Sequence, residues 1–377
     1  MINAVLKGSC NDLLRKINLT HKILNARKYP EELLPCFEWV NHSLEVWERE
    51  IKRIQRYLHL NLDDKILEQT WYDELTSINN EIEVLDVYYV HPLFRASEHD
   101  ILALKIIQRL HSLHKQTEEI PFLLSNGSFS IAASENGPTL YWLPVASQMS
   151  LLHFPLFFHE FGHLLFLLHK DEMEALIGEF QNKLSQYLRP IVTQSDEKYK
   201  SYLDKASDIV ETWREWMEEL FCDAIGLVIG GQSYLYAFSN FIRLGGTKEY
   251  FVPESYLSKR SHPVSLLRIR FLAERAQLIG FDDSANKLMQ EWESVAAALD
   301  LPEDYFGYFD DYFKGDIVTV IDDMLVEANP VSFNTLPDTN LFDYFKLIDD
   351  AWKMYNTNPG NYPEWETNSI ESALRVN

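Results

Sequence analysis

Cysteine is scarce, with three in 377 residues, at positions 10, 36 and 222. Three scattered thiols suit neither a disulfide framework nor a cysteine zinc site, and the expectation is a reducing, cytoplasmic setting. Basic side chains are also in deficit: 34 Lys and Arg against 57 Asp and Glu give a formal net charge of -23. Such a field makes the chain a poor non-specific partner for nucleic acid or for an anionic membrane surface. The first residues, MINAVLKGSCNDLLRKI, contain no long apolar stretch followed by a cleavage site, so no secretory signal is expected. No low-complexity tract and no internal repeat interrupts the chain. Hydrophobic residues reach 46% and aromatics 13%, which excludes intrinsic disorder. The length allows one large domain or two lobes.

One run has the length of a membrane span, LLHFPLFFHEFGHLLFLL at 151–168. It carries His153, Pro155, His159, Glu160 and His163, and ionisable groups are costly in lipid. A buried helix in a protein without a membrane span accounts for it better, and no other run approaches a span.

The pattern up to about residue 120 is helical. Leu34, Phe37, Val40, Leu44, Trp47, Ile51, Ile54 and Leu58 fall three or four apart and make one apolar stripe. Ser97 is placed to cap a helix running through IIQRLHSLH. Residues 121–145 change character, and FSIAAS and TLYWLPV around a turn at 135–138 read as a β-hairpin or two short strands. The histidine-bearing helix follows, starting near Pro155. Further helices are predicted near 171–189, 196–230, 262–279, 284–299 and 340–355, with a linker at 328–340. In the helix at 262–279, Ser261 suits the N-cap, Pro263 the first turn, and Gly280 the position just past the end. These elements predict a mainly α (α+β) fold, with a short β-hairpin or small sheet beside the histidine helix. Three regions are expected: a helical one at 1–120, a core around the histidine helix at 121–280, and an acidic, aromatic, mostly helical one at 281–377. The last 77 residues hold 15 acids and 4 bases, so that region supplies 11 of the 23 excess negative charges.

The sharpest motif is His159-Glu160-Phe161-Gly162-His163, an HExxH. Residues four apart lie one turn apart on a helix, so both imidazoles can face one metal ion. Glu160 sits about 100° around, near the metal without ligating it, where it can take a proton from water. Gly162 costs roughly 1 kcal/mol against Ala in a helix, and its presence there suggests a close approach by another backbone or a substrate. The competing account is a pair of satisfied core histidines. A third ligand at the metzincin spacing is missing, because 164–170 read LLFLLHK. WREWMEELFCDAIGL offers a carboxylate instead. Glu219 would bind the metal, and Asp223, four residues on, would accept the free N–H of a ligating histidine. Glu218 is the rival ligand, and a solvated acidic helix face is the plain alternative for both. A di-iron site would need a second ExxH, which the chain lacks. Ser261-His262-Pro263, with Arg268 and Ile269 downstream, is either an ordinary helix start or a source of an oxyanion donor, His262. Arg268 is placed to pair with Asp223 or another buried carboxylate.

HEFGH, then ELFCD, then SHPVSLLRI, in that order, resembles the motif set of the gluzincin zinc metallopeptidases. The set is most like that of the family containing the CAAX prenyl proteases and the bacterial heat-shock membrane protease. The likeness covers residues 159–269, with Cys222 standing where that family usually has Ala, and without its membrane helices. It implies a zincin-like core and one zinc ion held by His159, His163 and Glu219. It further implies Glu160 as general base, Asp223 behind a ligand, and His262 and Arg268 lining the site. The expected function is zinc-dependent hydrolysis of a protein or peptide substrate, for which TLYWLPV is expected to offer a free strand edge. The alternative is a metal-stabilised binding or regulatory protein with little general proteolytic activity.

Overall fold

The structure is a computed structural model that describes residues 2–60, 65–117, 121–125, 127–134, 137–189, 199–332 and 343–375. It is mainly helical with a small mixed sheet. In chain order the elements begin with α1 (Ile2–Asn25), α2 (Leu34–His59), α3 (Lys65–Leu85), α4 (His91–Arg95) and α5 (Ile101–Ser112). The strands β1 (Phe122–Ser125), β2 (Ser130–Ser134) and β3 (Gly137–Leu143) follow. The chain continues with α6 (Leu156–Leu168), α7 (Lys170–Tyr187), α8 (Tyr199–Arg243), α9 (Glu254–Leu257) and α10 (Ser265–Leu278). It ends with α11 (Asp282–Ala298), α12 (Lys314–Ala328), α13 (Tyr344–Thr357) and α14 (Tyr362–Arg375). Two compact units divide these elements. One comprises 1–105, 121–128 and 140–149, and the other 106–120, 129–139 and 150–377.

In the first unit α1, α2 and α3 pack together. Each buries residues at helical spacing: Leu6, Cys10, Leu13 and Ile17 in α1, and Val40, Leu44, Ile51, Ile54 and Leu58 in α2. Trp71, Leu75, Ile78 and Ile82 do so in α3. Leu34 departs from the predicted stripe. It is exposed at the start of α2, while Leu33 and Cys36 fill the core there. Ser97 does cap a helix, through a capping box in which its hydroxyl and the Asp100 carboxylate satisfy each other's backbone N–H.

The sheet order is β1-β3-β2, and β1 pairs with β3 in parallel from Phe122↔Leu140 to Ser125↔Leu143. This corrects the expectation for TLYWLPV: β3 is the central strand, with both edges already used. The apolar run FLLS (122–125), all four of its residues buried, is the third strand of the sheet through its pairing with β3. A short apolar run of that kind cannot be told from a helix segment by periodicity alone.

The second unit is built around α6. Leu156, Phe157, Phe158, Phe161, Leu164, Leu165 and Phe166 are all buried, so this helix is covered over most of its surface up to Phe166. It packs chiefly against α8, and also against β2 and α7. α8 in turn meets α7, α10, α12 and α13. It breaks at Gly231, whose φ of 54° and ψ of -133° suit a residue without a Cβ. The predicted helix end at 230 therefore marks a break and not a terminus. Its stretch from 201 to 243 is, by length and composition, apolar enough to cross a membrane, which the sequence reading did not anticipate, and 78% of that apolar window is buried within the protein.

The start of α10 also differs from expectation. Val264, with ψ of 130°, stands at the N-cap, and Ser265 is the first helical residue. Proline disfavours helical backbone in the residue before it, so His262 stays outside the helix and Ser261 cannot cap it. The Ser261 hydroxyl lies 2.8 Å from His262 Nδ1 instead. Gly280 does follow the helix end, with φ of 87°. α12 and α14 lie in the C-terminal stretch where the sequence suggested only two helices. α12 stops at Asn329, a left-handed cap, close to the predicted linker. Residues 333–340 of that linker are outside the described residues, as are 135–136 of the predicted turn at 135–138, whose other two residues begin β3.

Candidate metal centre

α6 supplies His159, Glu160 and His163, and the facing turn of α8 supplies Glu218, Glu219 and Asp223. Close packing of the two helices is what brings the groups together. A Cβ built on Gly162 would stand 2.8 Å from the Cys222 Cα and 3.0 Å from its Cβ. Glycine between the two histidines therefore lets α8 approach, and the approach is by backbone.

One ligand atom each from His159, His163 and Glu219 lies within 4.8 Å of the others, a group able to hold a metal ion. The Glu219 carboxylate faces both imidazoles, with Oε2 at 3.4 Å from His159 Nε2 and Oε1 at 3.6 Å from His163 Nε2. The two rings stand 5.0 Å apart and nearly perpendicular. Glu219 Oε2 is buried and makes no hydrogen bond. Its near neighbours are the Arg268 guanidinium at 3.2 Å and His159 Nε2 at 3.4 Å, and a cation between the three groups would give it a direct partner. The two imidazoles, the carboxylate and this oxygen without a hydrogen bond fit a metal ion.

Behind the triad, Asp223 Oδ1 lies 3.0 Å from His159 Nδ1, although the angles leave Nδ1 without a formed hydrogen bond. Arg268 forks onto Asp223 at 2.7 and 2.8 Å, and its Nη2 is 3.2 Å from Glu219 Oε2. The guanidinium also covers the face of Phe238 at 4.7 Å, and His159 stacks on the same ring at 6.0 Å. Tyr234 donates its hydroxyl to Asp223 Oδ1 at 3.0 Å. His262, half exposed, reaches Glu219 Oε1 with Nε2 at 3.2 Å. Glu160 is half-buried and, among the described residues, forms no ion pair or hydrogen bond, so its carboxylate is free to act as a base.

The electrostatics favour positive charge in the centre. Burial works against charging His159, but the Asp223 and Glu219 carboxylates outweigh it and lift the imidazole to about 10. Burial likewise opposes the charges of Glu219 and Asp223, and Arg268 overcomes it and holds both below the usual carboxylate range. Burial, reinforced by the surrounding carboxylates, pushes the Cys222 thiol well up, which leaves it an inert packing group. Burial lowers His262.

All seven residues singled out in the sequence fall in the second unit, six of them joined by the contacts above. The sequence reading missed two groups, both beyond the Gly231 break. Tyr234 and Phe238 belong to the part of α8 that follows the glycine pair Gly230-Gly231, a dipeptide that signals a break without telling where the chain goes next. A cavity of about 380 Å³ also lies in this unit. Phe158, Gly230, Ser233, Phe345 and Lys346 are among its lining residues, and none of the triad is. Comparison with known proteins gives no further guide, since no protein-family model, curated protein or solved structure matches the chain.

Proposed function

We propose that the protein is a zinc-dependent peptidase that hydrolyses peptide bonds in a protein or peptide substrate. The observation that carries this reading is the convergence of His159, His163 and Glu219 on one point, with the unpaired Glu160 carboxylate on the same helix. Two imidazoles and a carboxylate suit zinc, and three protein ligands leave a fourth position for substrate or water. The resemblance of HEFGH, ELFCD and SHPVSLLRI to the gluzincin motifs supports the same reading. When bound, zinc would supply a Lewis acid and lower the pKa of nearby water towards about 7.

The chain's own residues would do the rest. Glu160 takes a proton from the attacking water, whose oxygen bonds to the scissile carbonyl carbon. Glu160 then passes the proton to the leaving nitrogen as the C–N bond breaks. His262 donates a hydrogen bond to the carbonyl oxygen as charge develops there. Arg268 and Asp223 hold Glu219 and His159 in place. β2, an edge of the sheet that packs on α6, replaces β3 as the strand able to pair with an extended substrate. The buried, free thiols of Cys10, Cys36 and Cys222 fit a reducing compartment such as the cytoplasm.

A second reading is a metal-stabilised binding or regulatory protein. The approach of His262 Nε2 to Glu219 at 3.2 Å favours it, because a fourth protein ligand would close the centre. Cleavage of a proteome-derived peptide library by wild type and Glu160→Gln, at matched zinc content, separates the two. The peptidase reading expects Glu160→Gln to lose at least about 100-fold in rate. Equal cleavage by both would refute the mechanism, and cleavage by neither would favour the closed centre.

A further inference from the structure

We infer that Glu218 is a positioning residue of the metal centre: it fixes the tautomer and orientation of His163. The inference rests on the metal-centre reading. In the sequence Glu218 competes with Glu219 as a ligand, and the structure separates their roles. Glu219 faces the Nε2 atoms of both histidines. Glu218 lies on the other side of the His163 ring, where its Oε1 is 3.0 Å from Nδ1 in a formed hydrogen bond. A carboxylate can only accept, so Nδ1 carries the proton. In the neutral ring Nε2 then keeps its lone pair, directed to the side where Glu219 sits, which is the form a metal ligand needs.

The two carboxylates behind the histidines are not equivalent. Asp223 is 2% exposed, and both of its oxygens are engaged by Arg268 and one by Tyr234. Its angles leave His159 Nδ1 without a hydrogen bond. Glu218 is 27% exposed and, among the described residues, pairs with no lysine or arginine. Arg214, one turn away on α8, is engaged by Glu174. Glu218 thus has His163 as its one hydrogen-bond partner among the described residues and sets which ring nitrogen carries the proton, whereas the oxygens of Asp223 are taken up by Arg268 and Tyr234.

The test measures zinc affinity by chelator competition for wild type, Glu218→Gln and Glu218→Ala. Histidine tautomers in the metal-free proteins are read by long-range ¹H–¹⁵N correlation. Loss of such a partner weakens metal binding by about 10- to 100-fold. The expected order is wild type tightest, Glu218→Gln intermediate through its remaining carbonyl acceptor, and Glu218→Ala at least about tenfold weaker. Wild-type His163 is expected as the Nδ1–H tautomer, and this preference is expected to vanish in Glu218→Ala. Melting curves of the metal-free proteins should coincide, because the side chain is partly exposed. A Glu218→Ala protein that binds zinc within about twofold of wild type, or that keeps the Nδ1–H tautomer, overturns the inference and leaves the metal centre standing. Wild type that binds no zinc overturns both.

Discussion

Replacing Arg268 with methionine tests whether the centre is held together by one buried cation serving two carboxylates. Arg268 is 5% exposed, Asp223 2% and Glu219 8%, so water cannot replace the lost guanidinium without rearrangement. Removing one partner of a buried ion pair costs about 3–5 kcal/mol, because the other charge is left unpaired. Loss of the contact with the Phe238 ring adds to this. His159, raised to about 10 and protonated in the metal-free protein, shares the compensation. The expected cost at pH 7.5 is therefore about 3 kcal/mol, near the low end of that range. The pH dependence follows from the same shifts. Glu219 and Asp223 are lowered by Arg268, so their contribution is present above their unfolded values near 4 and is lost as pH falls below them. In Arg268→Met the carboxylates regain protons at higher pH and cease to be unpaired charges. The gap between the proteins should narrow by about 1 kcal/mol or more between pH 7.5 and 5. Urea unfolding followed by circular dichroism, with chelator present, measures both. A gap below about 1 kcal/mol at pH 7.5, or one that does not change with pH, refutes the reasoning.

Two further outcomes follow from the packing around α6. Gly162→Ala should lower stability by a net of about 1–2 kcal/mol in thermal unfolding, although alanine is the better helix former by about 1 kcal/mol. The added Cβ meets the Cys222 backbone, and for that reason a second change of the Cys222 side chain should not restore stability. His111 is buried against Phe161 of the HExxH, and burial lowers it to about 4. Its neutral form contributes stability above the unfolded value near 6.5, and this is lost as pH falls towards 4. The loss at pH 5 should be about 2 kcal/mol. Urea midpoints between pH 7 and 5 should flatten in His111→Gln, and an unchanged slope in that variant would show that His111 is not the source.

The sequence carried the centre further than it carried the sheet. HExxH fixes helical geometry through its own four-residue spacing, and Glu219 and Asp223 share that spacing on a second helix, so their grouping could be read locally. What spacing cannot supply is the direction of a carboxylate that has two candidate neighbours. The difference between Glu218 and Glu219 depends on which side of the His163 ring each one reaches. FLLS at 122–125 is too short to declare its period, and only pairing with β3 makes it a strand. TLYWLPV was recognisable as a strand, but its place in the middle of the sheet is a long-range property. The start of α10 was legible in principle, since Pro263 restricts His262, yet Ser261 supplied the more familiar capping signal. Tyr234 and Phe238 lay beyond a glycine break that the sequence marked only as an end.

The most direct measurement is zinc-edge anomalous scattering from a crystal of the zinc-reconstituted protein. The account predicts one anomalous peak per chain, within bonding distance of His159 Nε2, His163 Nε2 and the Glu219 carboxylate, at about 2.0–2.2 Å. A chain that takes up no zinc, or a peak at a site lacking these three residues, would contradict it.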